Sequence, residues 1–205
     1  MSEPTVYVVD DDDAVRDSLR MLMRSVGLPV QVYASGDEFI AAWDSGLRGC
    51  LVADIRMPGM SGLEMQEVLQ SRGSRLPVIF ITGHGDVPMA VDAMKAGALD
   101  FVQKPFRDQE LLDRIHEGLQ HEQANHEVEL QREEISSRVE SLTPRERQVL
   151  ARVVQGQANK VIAMDLDVSQ RTVEIHRARV MEKMQARSLA QLVRMMSRLE
   201  ALGEA

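Results

Sequence analysis

Five short apolar runs, separated by amphipathic stretches, constrain the fold of residues 1–120 more than any other feature. The runs are Thr5-Val6-Tyr7-Val8-Val9, Val30-Gln31-Val32-Tyr33, Cys50-Leu51-Val52-Ala53, Pro77-Val78-Ile79-Phe80-Ile81 and Leu99-Asp100-Phe101-Val102-Gln103. Apolar runs of this length read as strands buried on both faces. Between them the apolar residues recur at helical spacing, as in Val15, Leu19, Leu22 and Val26, and the segments 36–43, 62–70 and 87–96 fill the remaining gaps. A last helix spans 108–120, with Leu111, Leu112, Ile115 and Leu119 on one side. Glycines at 27, 73 and 97 stand where helices end in a left-handed residue. Repeated strand–helix units require crossovers, so the segment is predicted to be α/β, a five-stranded parallel doubly wound sheet with helices on both faces.

In such a sheet the ligand crevice lies at the carboxyl ends of the strands. Asp10 and Asp11 follow the first run, Asp54 the third, Thr82 the fourth and Lys104 the fifth, so all are expected to converge. Clustered carboxylates repel one another and need a counter-charge, and an oxygen-rich site with few protein ligands suits Mg²⁺. Lys104 offers a compact cation and Thr82 a hydroxyl for phosphoryl oxygens. Asp54 would then be a carboxylate nucleophile that forms an acyl phosphate. The bland reading of Asp10 to Asp13 is a solvated acidic run, with Asp12 or Asp13 capping the first helix.

Charge divides the chain. Residues 1–120 carry 11 Lys/Arg against 19 Asp/Glu, residues 121–140 carry 2 against 6, and residues 141–205 carry 11 against 7. The acidic front is a poor nucleic-acid binder, whereas the basic tail fits one. Cys50 is the single cysteine, which excludes an intramolecular disulfide and a cysteine-based zinc site. The chain opens Met1-Ser2-Glu3-Pro4 without a secretory pattern and has no apolar stretch of membrane-spanning length, so a cytoplasmic location is expected.

Three segments are expected: 4–120, a helical linker over 121–140, and an all-α tail over 141–205. The linker has no Gly or Pro and sparse apolar residues, Val128, Ile135, Val139 and Leu142. It reads as an extension of the preceding helix, with a short coiled coil as the sharper alternative. His121 and His126 are expected to face solvent. In the tail, Thr143-Pro144-Arg145-Glu146 reads as N-cap, first-position proline and capping box. A short helix over 159–166, a turn at Asp167-Val168-Ser169 and a longer helix over 170–184 form a helix-turn-helix pattern, followed by a fourth helix over 188–199. On the longer helix Val173, Val180 and Met184 form the inward stripe, with Arg171, Glu174, Ile175, Ala178 and Arg179 opposite.

The strand-end constellation resembles the receiver domain of two-component response regulators over residues 4 to about 120. That resemblance implies that Asp54 is the phospho-acceptor, and that Asp10, Asp11, Asp54 and the backbone carbonyl of Arg56 hold Mg²⁺. It makes Thr82 the switch hydroxyl and Lys104 the phosphoryl-pairing lysine, with a cis peptide at Lys104-Pro105. The stretch Ile81 to Phe101 is similar to FixJ-type regulators, which implies a phosphorylation-dependent homodimer through Val91, Lys95 and Phe101. Phe101 stands where many receivers carry a Tyr that turns inward, and it lacks the hydroxyl; as alternatives, Phe101 and Val91 are plain core residues. His84, between Gly83 and Gly85, is expected to be a conformational element of the switch loop.

Leu142 to Leu150, Asn159-Lys160-Val161-Ile162-Ala163 and Ser169 to His176 resemble the LuxR-type four-helix DNA-binding domain. That resemblance implies phosphate contacts from Lys160, Thr172, His176 and Lys183, and base reading by Arg171, Glu174, Ile175, Ala178 and Arg179. Relatives often carry lysines where Glu174 and Ala178 stand here. The combined reading is a transcription factor, here an activator, that partners a sensor histidine kinase, double-stranded promoter DNA and RNA polymerase. It is not an enzyme beyond its own phosphorylation and slow autodephosphorylation. A Mg²⁺-dependent aspartyl-phosphate phosphatase of the haloacid-dehalogenase kind competes, but it needs an aspartate where Arg56 stands. A tail that binds protein or RNA is the third reading.

Overall fold

All five apolar runs become strands of one parallel sheet: β1 (Thr5–Val9), β2 (Val30–Tyr33), β3 (Gly49–Asp54), β4 (Val78–Thr82) and β5 (Asp100–Gln103). In this computed structural model, which describes residues 3–83 and 87–201, the strand order is β2-β1-β3-β4-β5. The order reverses at β1, and the register pairs Val9 with Ala53, Asp54 with Ile81 and Thr82 with Gln103. Residues 10, 54, 82 and 104 therefore leave the sheet along one edge. His84 lies outside the described residues.

Side chains alternate between two cores, as a strand period of two requires. Tyr7, Val9, Leu51, Ala53 and Phe80 pack with residues of α2 (Gly36–Ala42), α3 (Gly62–Ser71) and α4 (Val87–Lys95). Val6, Val8, Val52, Ile79, Ile81 and Val102 pack with α1 (Asp13–Ser25) and α5 (Asp108–Glu140). Each fully buried Val, Leu, Ile or Phe contributes about 1.5–3 kcal/mol against exposure, so both helical layers are firmly held. Cys50 lies in the second core, where burial pushes its thiol up to about 12. Val26 was expected on the inner stripe of α1 but is exposed, because the helix ends at Ser25 and Val26 is its C-cap. The start of α3 is drawn tightly against the strand edge: a Cβ on Gly62 would meet the Asp54 carbonyl oxygen at 2.4 Å.

Contacts divide the chain into two units, Met1–Asn125 and His126–Ala205, so the division falls within α5. The expected linker segment is helical throughout, yet each part is committed to its own unit. Glu122 forms a two-point ion pair with Arg48, at 2.9 and 3.1 Å, and Gln123 accepts from the same guanidinium. Ile135 and Leu142 are buried in the second unit's core, and Val139 packs against it. Those three residues face the core of their own unit, and Val128 is the one apolar position of the four that stays exposed.

The second unit adds α6 (Pro144–Val154), α7 (Asn159–Asp165), α8 (Gln170–Lys183) and α9 (Leu189–Ala201). Thr143 and Glu146 form the capping box, with Pro144 in the first turn, and the Ser169 hydroxyl caps α8 by accepting from the Thr172 N–H. Val149, Leu150, Val153, Ile162, Val173, Val180, Met184 and Leu192 fill the core between these helices.

Candidate functional site

The edge above β1, β3 and β5 gathers charge in surplus. Asp10, Asp11 and Asp54 each place a carboxylate oxygen within 4.8 Å of the others. The Lys104 ammonium donates to Asp10 at 3.0 Å and to Asp54 at 2.6 Å. Asp10 is only 1% exposed, and burial pushes its pKa up against the lowering effect of the Asp12 N–H and Lys104. Burial also works against the charge of Lys104, but the hydrogen bonds to Asp54 and Asp10 outweigh it and hold its pKa above the usual lysine value. One ammonium thus serves two of three clustered carboxylates. A hard cation that accepts oxygen ligands fits this donor set, and Asp11, the exposed member, leaves it open to solvent.

The remaining strand-end residues are in place around it. Arg56 donates its backbone N–H to Asp54 at 3.0 Å. Thr82, the last residue of β4, is buried, and its carbonyl accepts the Lys104 N–H at 2.7 Å. The Lys104-Pro105 peptide is cis. Asp12, one of the two candidates, caps α1 by accepting from the Ala14 N–H at 2.8 Å.

In the second unit, α8 has two distinct faces. Val173, Val180 and Met184 are fully buried, whereas Arg171, Glu174, Ile175, Ala178 and Arg179 are exposed, Ile175 by 48%. Lys160 is exposed at the start of α7. The Thr172 hydroxyl shares a 2.8 Å hydrogen bond with Ser169, and the half-buried His176 keeps its Nδ1 buried without a partner.

Residues 6–116 match the response regulator receiver domain family, and residues 140–196 match the luxR family of bacterial regulatory proteins. This chain belongs to the FixJ-like response regulators. It is 50% identical over 190 residues to the transcriptional regulatory protein FixJ of Azorhizobium caulinodans, a match covering 93% of this chain and 90% of that protein. It is 46% identical to the response regulator protein TmoT of Ectopseudomonas mendocina, covering 97% and 90%. Among solved structures, the response regulator StyR superposes with a TM-score of 0.88 at 45% identity, over 96% of this chain and all of that one. Full-length FixJ from B. japonicum gives 0.60 at 43% identity, over 98% and 99%. The chain is thus a transcription regulator with a receiver and a LuxR-type DNA-binding domain. No helix among the described residues is long and apolar enough to cross a membrane.

On the receiver, the plain-core readings of Phe101 and Val91 do not hold: the two are 37% and 46% exposed. Lys95 is exposed as well, and Met94 adds a further exposed apolar side chain that the sequence reading passed over. Alternation explains Phe101. On β5 only Val102 enters the core, and Phe101 points the other way.

In the LuxR-type domain, Lys183 needs correction. Its ammonium is engaged by the buried Glu146 carboxylate at 2.7 Å and by the Ser141 carbonyl at 3.2 Å. The Lys183 hydrogen bond, followed by the Thr143 N–H, holds the Glu146 carboxyl down at about 2. Lys183 therefore ties the end of α8 to the start of α6 instead of reaching for a phosphate. Arg177 on the same helix donates to Asn159 of α7 at 3.0 Å, joining the two helices of the helix-turn-helix. Glu146 was legible as a cap, but its partner 37 residues on was not, since that pair depends on how the helices cross.

Proposed function

We propose that Asp54 accepts a phosphoryl group from a sensor histidine kinase and that this controls binding of the LuxR-type domain to promoter DNA. The observation that carries the reading is Lys104 held between Asp10 and Asp54 in a cluster of three carboxylates at the strand ends. An Asp54 carboxylate oxygen attacks the phosphorus of a phosphohistidine, the P–N bond breaks, and an acyl phosphate and a free imidazole result. Asp10, Asp11, Asp54 and the Arg56 carbonyl would hold Mg²⁺, which supplies charge neutralisation for the phosphoryl oxygens. Lys104 then trades its hydrogen bond to the free carboxylate for one to a phosphoryl oxygen, and the Thr82 hydroxyl binds another. The acyl phosphate is lost slowly by autodephosphorylation, which makes Asp54 a timer.

Thr82 and Lys104 flank β5 at its carboxyl end, so a pull on either acts on Phe101, whose exposed ring would turn inward. Homodimerisation through Val91, Lys95 and Phe101 places two LuxR-type domains on a two-fold symmetric site. Arg171, Glu174, Ile175, Ala178 and Arg179 form the base-reading face, with Lys160, Thr172 and His176 towards phosphates. Glu174 accepts from a cytosine amino group, or lowers non-specific affinity. The bound dimer acts on RNA polymerase as an activator in the cytoplasm.

The test is the affinity for DNA, selected from a genomic library, with and without a small acyl-phosphate donor and Mg²⁺. The wild type should gain affinity and dimerise, and Asp54→Asn should do neither. Full donor-dependent DNA binding by Asp54→Asn would refute the switch.

A further inference from the structure

Arg16 touches neither Asp54 nor Lys104, yet it is built into the acidic loop. Its side chain is only 11% exposed, although its ion-pair partner Asp13 is 91% exposed. One guanidinium nitrogen, Nη1, donates to the backbone carbonyl of Asp10 at 2.5 Å, and the other, Nη2, pairs with the Asp13 carboxylate. Arg16 thus reaches back from the first turn of α1 across residues 10–13. The same loop carries two other restraints, the Asp12 N–H on the Asp10 carboxylate at 2.9 Å and the Asp12 cap on α1. Asp11, the exposed carboxylate of the cluster, lies between these fixed points.

We infer that Arg16 is a positioning residue that staples the β1–α1 loop and thereby holds the Asp11 carboxylate in reach of a divalent cation. The inference rests on the proposed Mg²⁺ role of the acidic site and deepens it. The chemistry of the side chain suits the task, because a guanidinium is a planar fork that serves two acceptors in fixed geometry, and it cannot lose its charge. A lysine at this position would keep the charge and reach one acceptor. Asp13 cancels the charge of Arg16 locally, so removal of the pair together changes the geometry of the loop without changing its net charge. Losing a supporting partner of this kind weakens metal affinity by about 10-fold or more.

The experiment compares the full chain with Arg16→Lys, Asp13→Asn and the double variant Asp13→Asn/Arg16→Met. Mg²⁺ alone is titrated by calorimetry, and amide exchange is followed over residues 10–14 without metal. Mg²⁺-dependent phosphorylation by an acyl-phosphate donor is measured as half-saturating Mg²⁺ against rate at saturating Mg²⁺. The double variant should bind Mg²⁺ about 10-fold more weakly, exchange the Asp12 and Ala14 amides faster, and show the defect in half-saturating Mg²⁺ with little change in the saturated rate. Arg16→Lys should fall between it and the wild type. An unchanged Mg²⁺ affinity in the double variant overturns the inference, as does a saturated rate that falls with half-saturating Mg²⁺ constant. A purely electrostatic role is also excluded by this design, since it predicts weaker binding in Asp13→Asn and no change in either the charge-conserving Arg16→Lys or the charge-neutral double variant. If the wild type itself binds no Mg²⁺, the metal reading of the site fails, and faster amide exchange in the double variant would then show a staple with no metal to serve.

Discussion

Lys104 in the receiver and Lys183 in the LuxR-type domain each donate to a buried carboxylate, Asp10 at 3.0 Å and Glu146 at 2.7 Å. Around Lys183 the charges balance. Glu146 also accepts from the Thr143 N–H at 2.9 Å, and its carboxyl is held down at about 2. Around Lys104 they do not, since its ammonium serves both Asp10 and Asp54, Asp11 is clustered with them, and burial raises the pKa of Asp10. A satisfied ion pair with a cap locks two helices. A surplus of carboxylates is a site that gains when a cation or a phosphoryl group arrives. The same residue types therefore report structure in one unit and chemistry in the other, and the stoichiometry of charge tells them apart.

The strongest way to break this contrast is to add Mg²⁺. At a concentration 100 times its Kd, the cation should stabilise the receiver by about 2.7 kcal/mol and leave the LuxR-type domain unmoved, with chelation reversing the effect. Separate unfolding transitions, followed by hydrogen exchange in each unit, would show it; equal stabilisation of both would dissolve the distinction. Next in size, Glu146→Ala removes both the Lys183 partner and half of the capping box. It should destabilise the LuxR-type domain by about 2 kcal/mol in a denaturant titration. Asp54→Asn should do the opposite in the receiver without Mg²⁺, relieving repulsion and raising stability by roughly 1 kcal/mol.

The smallest effect is a divergence with pH. The depressed carboxyl of Glu146 contributes stability that is complete above its unfolded value of 4.5 and is lost as pH falls towards about 2. The raised carboxyl of Asp10 binds a proton more readily in the folded state, so its contribution becomes more favourable as pH falls through its folded value. Acidification should thus weaken the LuxR-type domain through Glu146 and relax the receiver through Asp10. The Glu146→Gln and Asp10→Asn variants should each flatten the response of their own unit.

Much of this was open to a reading of the chain. The strand runs are apolar on both faces, so they could belong only to a covered sheet, and residues at their ends had to share an edge. Thr143, Pro144 and Glu146 announced a helix start because capping is local in sequence. A cap at Asp12 or Asp13 and the outward face of α8 were legible for similar reasons, whereas the cis peptide at Lys104-Pro105 followed from the resemblance to receiver domains. Other features escaped for a reason that is equally physical. The partners Lys183–Glu146, Arg48–Glu122, Arg138–Met184 and Arg177–Asn159 lie 37, 74, 46 and 18 residues apart, and no periodicity links them. Lys183 entered as a phosphate contact through the resemblance to LuxR-type domains, and a carboxylate 37 residues away leaves no local mark on it. Ile135 read as part of a linker because one apolar residue in a polar helix carries no sign of the core that receives it.

Sequence alone settled the division into an acidic α/β segment and a basic helical one, the order of strands and helices, and which residues stand at the strand ends. Those follow from local periodicity, caps and the geometry of parallel crossovers. Tertiary structure alone decided that Lys104 lies between Asp10 and Asp54 and that Phe101 and Val91 face outward. It also decided that Lys183 is engaged, that Arg16 reaches back over the acidic loop and that the helix after residue 120 belongs in part to each unit. Such facts depend on distances between residues far apart in the chain, and only the packing of elements against one another sets those distances.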